Sequence, residues 1–369
     1  GTFYETDDPR KDGAFSIFYM GVNIGAFLST LTCGYVGQQI NWHYGFGLAG
    51  IGMVVGLIVF YLFSKGESFQ GRGLPPKEVI EGKKKFIGLK PSVGIYIVSL
   101  LAIPVCAFFL DLDEVMSVIL IVTSLLIIGY LIFVSLKNKD RIEGKRLLVV
   151  VVLFFFHAVF WALFEQAGGS LTIFTDKNVD RFVGGAEIPA SIFQSLNPLF
   201  IMLFAPLFSW IWLRLNKAKK EPSTPMKFVL GLTQLALGFG VIVLGAKFFA
   251  SDEGLVPIAF LALMYLLHTT GELSLSPVGL SMVTKLSPAK VVGFVMGAWF
   301  LSIALANKMA GLIGTLTTSE KVDENTAASV TLEIYSSTYL IWGVVVVGCS
   351  ALLLLALVPL LRKWMGGIH

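Results

Sequence analysis

Ten long runs of apolar residues limit what this chain can fold into. They lie near residues 14–36, 43–64, 92–110, 115–136, 147–167, 190–213, 227–249, 256–282, 291–316 and 335–361. Each run is long enough for the roughly 20 residues that an α-helix needs to cross the hydrocarbon core of a bilayer. Charged residues make up only 14% of the 369 residues, against about a quarter in a typical soluble domain. The sequence therefore predicts an all-α polytopic membrane protein in a lipid bilayer.

The basic residues predict how the protein is oriented. If residues 1–13 are cytoplasmic and the chain changes sides at every run, the inside segments hold 23 Lys and Arg residues and the outside segments hold four. Cytoplasmic loops of membrane proteins carry such an excess. One wrongly assigned run would destroy the asymmetry, so the count supports ten spans and a cytoplasmic C-terminus. The net charge of +4 follows from these loops beside anionic lipid, and no nucleic-acid partner is expected.

Reactive side chains do not form a pattern typical of an enzyme, a metal site or a disulfide framework. Cys33, Cys106 and Cys349 all lie inside apolar runs, where a small buried residue is the expected role. The sequence contains no HExxH or GxSxG motif, and the two carboxylates within the runs, Glu165 and Glu272, form no recognisable acid–base pair. We therefore expect neither an enzyme nor a bound cofactor or metal.

The first run contains the string FSIFYMGVNIGAF at residues 15–27. Tyr19 and Asn23 lie one helical turn apart, whereas Gly21 and Gly25 form a GxxxG spacing on roughly the opposite face. The glycines would let another helix approach closely. The phenol and the amide would then face protein or a cavity.

Four further strings follow in order, namely WALFEQ at 161–166, QSLNPLF at 194–200, GELSLSPVGLSMVTKLSP at 271–288 and GAWFLSIALAN at 297–307. With the first string, they resemble the fifth, seventh, eighth, tenth and eleventh helices of the proton-dependent oligopeptide transporter (POT/PTR) family of the major facilitator superfamily. The resemblance covers essentially the whole chain. It implies a major facilitator fold of two six-helix bundles, with the runs between 92 and 136 as the two extra linker helices of bacterial members.

The same resemblance implies how the chain is divided. Residues 1–64 would be the remainder of the N-terminal bundle, 65–146 a cytoplasmic linker with the two extra transmembrane helices, and 147–369 the C-terminal six-helix bundle. The family's first-helix ExxER motif and its fourth-helix Lys do not occur in this sequence. We therefore expect the chain to lack the first four helices of the family.

The function implied by the resemblance is proton-coupled symport of di- and tripeptides across the inner (cytoplasmic) membrane by alternating access. Protons would be the coupling ion, no cofactor would be needed, and the protein would act as a monomer. Glu272, Asn23 and Asn197 would bind the peptide ammonium, and Glu165 would act in the outer gate and in proton coupling. The other implied substrate-binding residues are Tyr19, Trp161, Trp299 and Ser302.

Reasoning from the residues leaves alternatives open. A carboxylate inside a membrane usually faces a cavity or a partner, but Glu165 could reach the outer interface, and Glu272 could be protonated and bonded to a neighbouring helix. Asn197 could repair a kink at Pro198, and Pro277 could open its helix locally.

The resemblance assigns no role to His157, His268 or Lys308. His157 forms a stripe with Trp161 and Glu165 at i, i+4 and i+8, yet both histidines are expected to be packing residues rather than proton relays. Lys308 could snorkel outward or pair with a carboxylate.

The alternatives to peptide symport are transport of another small substrate on the same fold, such as nitrate or a drug-like molecule, and a non-transporting peptide receptor. An ionised Glu272 in the pocket argues against nitrate.

Overall fold

The computed structural model describes residues 11–64, 90–110, 112–288, 290–317 and 326–367. Arg10 and the basic segment 83–85, which contribute to the predicted cytoplasmic side, lie outside the described residues.

The described residues form the helices that the apolar runs predict. In the first part of the chain these are α1 (Lys11–Ser29), which continues through a π-helical stretch (Thr30–Gly34) into α2 (Tyr35–Gln39), then α3 (Trp42–Ser64), α4 (Pro91–Leu110) and α5 (Asp113–Lys137). The second part contains α6 (Arg141–Phe164), α7 (Ser170–Asn178), α8 (Leu196–Lys217), α9 (Thr224–Phe248), α10 (Ile258–Leu286) and α11 (Val292–Thr315). The last segment is α12 (Ala328–Thr338), which runs through a second π-helical stretch (Tyr339–Val346) into α13 (Val347–Met365).

Almost all of the helices that the apolar runs predict are long enough to cross a membrane. Within the described residues, nine segments are long and apolar enough to cross a membrane, and the remaining run, 92–110, contains a shorter apolar helix, Val93–Phe109. The prediction of an all-α polytopic membrane protein is therefore confirmed.

The described residues fall into two compact units. One contains the chain up to Tyr19 and from Phe46 to Ile121, and the other contains Met20–Gly45 and the chain from Val122 onward. Every predicted site residue except Tyr19 belongs to the second unit. The predicted boundaries after residues 64 and 146 stay predictions.

The core of the second unit lies on α6 and α9. Their membrane-crossing segments are 67% and 61% buried, against 11% for the segment that contains α8. Large apolar side chains such as Phe155, Leu203 and Leu237 stay exposed on the outside of the unit. Exposed apolar side chains are expected where hydrocarbon rather than water is the solvent.

A tight turn connects α5 to α6. Asp140 caps α6, because its Oδ1 accepts from the backbone N–H groups of Ile142 (2.8 Å) and Glu143 (3.4 Å). Ser135 Oγ donates to the Gly144 carbonyl (2.6 Å), and the two helices touch so closely at Gly144 that a Cβ there would collide with the Ser135 carbonyl. This contact holds the C-terminal end of α5 against α6.

Lys227 joins α8 to α9 at the end that the basic residues place inside. Its Nζ lies 2.5 Å from Glu221 Oε1 and 4.7 Å from the centre of the Trp212 ring. Burial alone would raise the pKa of Glu221, but hydrogen bonds from Lys227 and Asn216 and the nearby lysine charges lower it overall. The Glu221 carboxylate therefore stays ionised at neutral pH.

Short strands and a buried arginine organise the loops at the opposite end. The strand pairs are β1 (Val179–Asp180) parallel to β4 (Val256–Pro257) and β2 (Phe182–Val183) antiparallel to β3 (Ala186–Glu187). The Arg181 guanidinium bridges Asp176 (3.0 Å) and Glu187 (2.6 Å) and donates to the Ile188 carbonyl. The paired charge explains how Arg181 tolerates burial.

Glycines set the distance between α9 and α10, which form the most extensive helix pair. A Cβ on Gly231 would lie 3.0 Å from the Gly271 carbonyl oxygen, and a Cβ on Gly271 would lie 2.9 Å from the Gly231 carbonyl oxygen. Each helix therefore presents bare backbone to the other. This is how small residues allow close helix packing in membranes.

We expect Gly271→Ala to destabilise the protein by about 1–3 kcal/mol, the usual cost of overpacking a filled core, because backbone cannot move aside as a side chain can. Gly240→Ala in α9 is the matched control, since its new Cβ would meet nothing closer than Val344 at 4.0 Å. Thermal unfolding in detergent compares the two variants. A melting temperature for Gly271→Ala at or above that of Gly240→Ala would contradict the close-packing argument.

Candidate functional site

A carboxylate and an amide from different helices meet inside the second unit. Glu272 of α10 is only 8% exposed. The Asn197 amide nitrogen of α8 donates to Glu272 Oε2 (2.9 Å) and to Thr269 Oγ1 (3.1 Å). Thr269 lies three residues before Glu272 and therefore shares its helix face. Since both amide hydrogens are used, Asn197 fixes the orientation of the carboxylate.

The backbone around the two prolines differs from the sequence expectation. α8 begins at Leu196, so Pro198 lies in the first turn, where its missing N–H breaks no helical hydrogen bond. Asn197 therefore has no kink to repair, and that alternative interpretation is wrong. The local opening expected at Pro277 is also not found, because α10 stays helical from Ile258 to Leu286.

A second group of side chains is centred on His157 of α6. Its Nδ1 lies 2.8 Å from Ser302 Oγ of α11, and its Nε2 accepts a hydrogen bond of 2.9 Å from Trp161 Nε1. The imidazole also packs on the Trp299 ring, with 4.0 Å between the ring centres and 39° between the planes. Three predicted site residues, Trp161, Trp299 and Ser302, are thus brought together by a residue that the prediction left out.

The two tryptophans differ in accessibility. Trp161 is half-buried, whereas Trp299 is 3% exposed. Trp299 contacts Phe154 edge-on (5.3 Å between centres), and a Cβ on Gly279 would lie 2.6 Å from its ring. The Trp299 ring is therefore held by tight packing on α10. Trp161 presents the more accessible aromatic surface.

Phe164 connects this group to the carboxylate. Its ring centre lies 5.1 Å from that of Trp161 and 6.3 Å from that of His268, which is one turn before Glu272 in α10. His268 is 3% exposed, lies directly against Gly238 and packs on Phe239 with 4.7 Å between centres. The Nε2 atom of His268 is buried without a hydrogen-bond partner among the described residues, and the expected packing role stays a prediction. The Glu272 and His157 groups therefore belong to one aromatic-rich region of the second unit.

Glu165 follows the C-terminal end of α6. The α-helix ends at Phe164, and Glu165 opens a short 3-10 helix that ends at Gly168. The half-buried carboxylate lines an open cavity of about 450 Å³ with Asn307 and with glycines of α11, including Gly311 and Gly314. The lining of this cavity combines polar side chains with small and apolar residues.

The C-terminal part of the first span packs against the loop before α8. Gln38 of α2 accepts from the Ser191 backbone N–H (3.0 Å) and donates to Asp176 Oδ1 (3.3 Å). A Cβ on Gly34 would lie 3.4 Å from Ser191 Cβ. These contacts join residues more than 130 positions apart in sequence. No motif in either segment predicted them.

Comparison with known proteins decides the family. The model that describes the POT family (PTR2) matches residues 1–331. The chain belongs to the POT family. Among its relatives, an uncharacterised transporter YclF from Bacillus subtilis is 37% identical over the whole chain and 71% of the relative. The peptide transporter YePEPT from Yersinia enterocolitica is 36% identical over 98% of the chain and 70% of the relative.

A solved structure of a POT family member has the same fold. It is a variant of the peptide transporter POT in complex with alafosfalin, which is 34% identical, with a TM-score of 0.75 over 99% of this chain and 70% of that one. The predicted major facilitator fold is therefore confirmed.

The remaining predicted residues of this POT family chain are placed as follows. Asn23 is 6% exposed in α1, Tyr19 is 41% exposed and belongs to the other unit, and Lys308 is half-buried in α11. The structure brings Asn197 to Glu272 and brings Trp161, Trp299 and Ser302 to His157. The roles of all these residues in binding stay predictions.

Proposed function

We propose that this POT family protein imports di- and tripeptides by proton-coupled symport. The observation that supports the proposal most strongly is the buried Glu272 carboxylate, oriented by Asn197 at 2.9 Å. An ionised carboxylate accepts hydrogen bonds and attracts an ammonium, and charge-assisted hydrogen bonds of this kind are stronger than neutral ones. The names of the relatives, which include a peptide transporter at 36% identity, favour the same substrate class.

The shape of the substrate explains why such a site is useful. Di- and tripeptides share an ammonium and a carboxylate, whereas their side chains vary. A carrier of many peptides therefore gains from holding the termini by charge and from leaving partly aromatic space for the side chains. Glu272 with Asn197 and Asn23 would hold the ammonium, and Trp161 would face the side chains, with Trp299, Ser302 and Tyr19 as further binding residues.

Proton coupling follows from the same carboxylate. Protonation of Glu272 would remove its charge and weaken its hold on the peptide ammonium, so proton entry and peptide release would be linked. Glu165 would take part at the outer gate. In this proposal, protons are the coupling ion, no further cofactor is needed, and the protein is a monomeric transporter of the inner membrane, rather than an enzyme, with a cytoplasmic C-terminus.

We expect labelled dialanine to enter proteoliposomes that contain the complete protein when an inward proton gradient is imposed, and a protonophore to abolish accumulation. Nitrate should not compete, because an anion would be repelled by Glu272. Binding of the peptide without accumulation would instead identify a receptor. Uptake that is indifferent to the protonophore would rule out symport.

A further inference from the structure

The hydrogen bonds of His157 fix where its proton lies. The indole Nε1 of Trp161 is only a donor, so His157 Nε2 must present a lone pair to it. The ring proton then lies on Nδ1 and points at Ser302 Oγ, 2.8 Å away. Ser302 in turn donates to the Trp299 carbonyl at 2.6 Å. The chain of bonds runs in one direction, from Trp161 through His157 and Ser302 to the backbone of α11.

This arrangement holds both tryptophans through one imidazole. His157 fixes Trp161 by a hydrogen bond at its ring edge and supports Trp299 by ring packing at 4.0 Å. The three side chains that contact the ring in this way are two indoles and a hydroxyl, none of which carries a charge. His157 is 3% exposed, so it reaches a substrate through Trp161, the more accessible of the side chains that it holds.

We propose that His157 is a positioning residue that sets the side-chain specificity of transport by fixing Trp161 and Trp299. The proposal rests on the proposed peptide transport and adds a determinant of which peptides are favoured. Because Trp161 is the more accessible indole, the preferred substrates are peptides with a bulky apolar or aromatic side chain. Small peptides depend on their termini and are nearly indifferent to His157.

The same geometry argues against a proton-relay role for His157. A second ring proton on Nε2 would face the Trp161 N–H at 2.9 Å, so two donors would oppose each other and the bond would be lost. Carrying a proton would therefore require the tryptophan to be released in every cycle.

Two near-isosteric variants test the proposal in proteoliposomes that contain the complete protein. In His157→Asn, the amide replaces Nδ1 and leaves Trp161 without an acceptor, and in His157→Gln, the amide reaches the Nε2 position and keeps that acceptor. We expect His157→Asn to raise KM for alanyl-phenylalanine about tenfold, the effect of one lost buried hydrogen bond, with little change in kcat. KM for dialanine and the pH dependence of uptake should stay as in wild type, and His157→Gln should lie between.

A double-mutant cycle separates positioning from general damage. Trp161→Phe keeps the core filled but cannot donate, so it should raise KM for alanyl-phenylalanine by a similar factor, and adding His157→Asn to it should have little further effect. Additive effects, equal losses for both peptides or a shifted pH profile would each overturn the proposal. Wild-type protein that takes up neither peptide would overturn the proposed function as well, and is thereby distinguished from a failure of His157 alone.

Discussion

A disulfide between Gly34→Cys and Ser191→Cys is expected to reduce peptide uptake to the level of empty liposomes, and a reducing agent is expected to restore it. The Cβ positions of the two residues are 3.4 Å apart, close to the roughly 3.5–4.5 Å that a disulfide needs. Ser191 Oγ has no hydrogen-bond partner among the described residues, so exchanging it for sulfur removes no bond. In the proposed alternating access, the first span and the loop before α8 would separate during the cycle, and the cross-link forbids this separation.

The cross-link is best made in a background in which Cys33, Cys106 and Cys349, which are free thiols, are replaced by alanine. Each single cysteine variant, and Gly21→Cys combined with Ser191→Cys, serve as controls, because Gly21 has no close neighbour. Gel mobility after proteolysis between the two positions measures the extent of cross-linking. Full uptake by quantitatively cross-linked protein would mean that this contact does not open during transport.

Glu272→Gln should reduce dipeptide uptake more than any other single substitution of a carboxylate in the second unit. A hydrogen bond to a charged group is worth about 1.5–3 kcal/mol, which corresponds to a loss of about 10- to 150-fold in affinity. Glutamine keeps the size of the side chain and can still accept from Asn197, so the change removes the charge with little effect on packing. Competition by unlabelled dipeptide against labelled dialanine measures the loss.

Glu272→Gln should also remove the selectivity for a free ammonium group on the peptide. We expect the wild type to favour a dipeptide over its N-acetylated form, and we expect the variant to lose this discrimination. Glu253→Gln, in an exposed loop between α9 and α10, is the matched control and should leave uptake unchanged. If Glu272→Gln still preferred the free ammonium by the wild-type factor, Glu272 would not be the group that binds it.

The sequence predicted the helices better than the contacts between them. Apolar runs are local properties of the chain, so their number and approximate limits could be read directly, and only the helix around Val93–Phe109 came out shorter in its apolar part. The structure joins Asn197 to Glu272, two of the three residues that the family resemblance groups around the peptide ammonium, and their role in binding stays a prediction. Residues 75 positions apart could not have been paired from their local pattern alone.

His157 illustrates what the sequence could not provide. Its spacing to Trp161 was visible as i, i+4, but its second partner, Ser302, lies 145 residues away on another helix. A lone histidine in an apolar run is more often a packing residue than a functional one. The hydrogen bonds at both ring nitrogens of His157 are visible only in the structure. Gln38 was missed for the same reason, since the pairing with Ser191 depends on how two distant segments approach.

The π-helical stretch Thr30–Gly34 determines in which direction the side chains that follow it in the first span point. A π-helical turn closes its hydrogen bond one residue later than an α-helical turn does, so the stretch holds a residue that a uniform α-helix would not need. Removing that residue would turn the outer tip by about 100° and draw it in by about 1.5 Å. Gln38 would then point away from Ser191. The contact between Gln38 and Ser191 therefore depends on the number of residues in this short stretch as well as on which side chains touch.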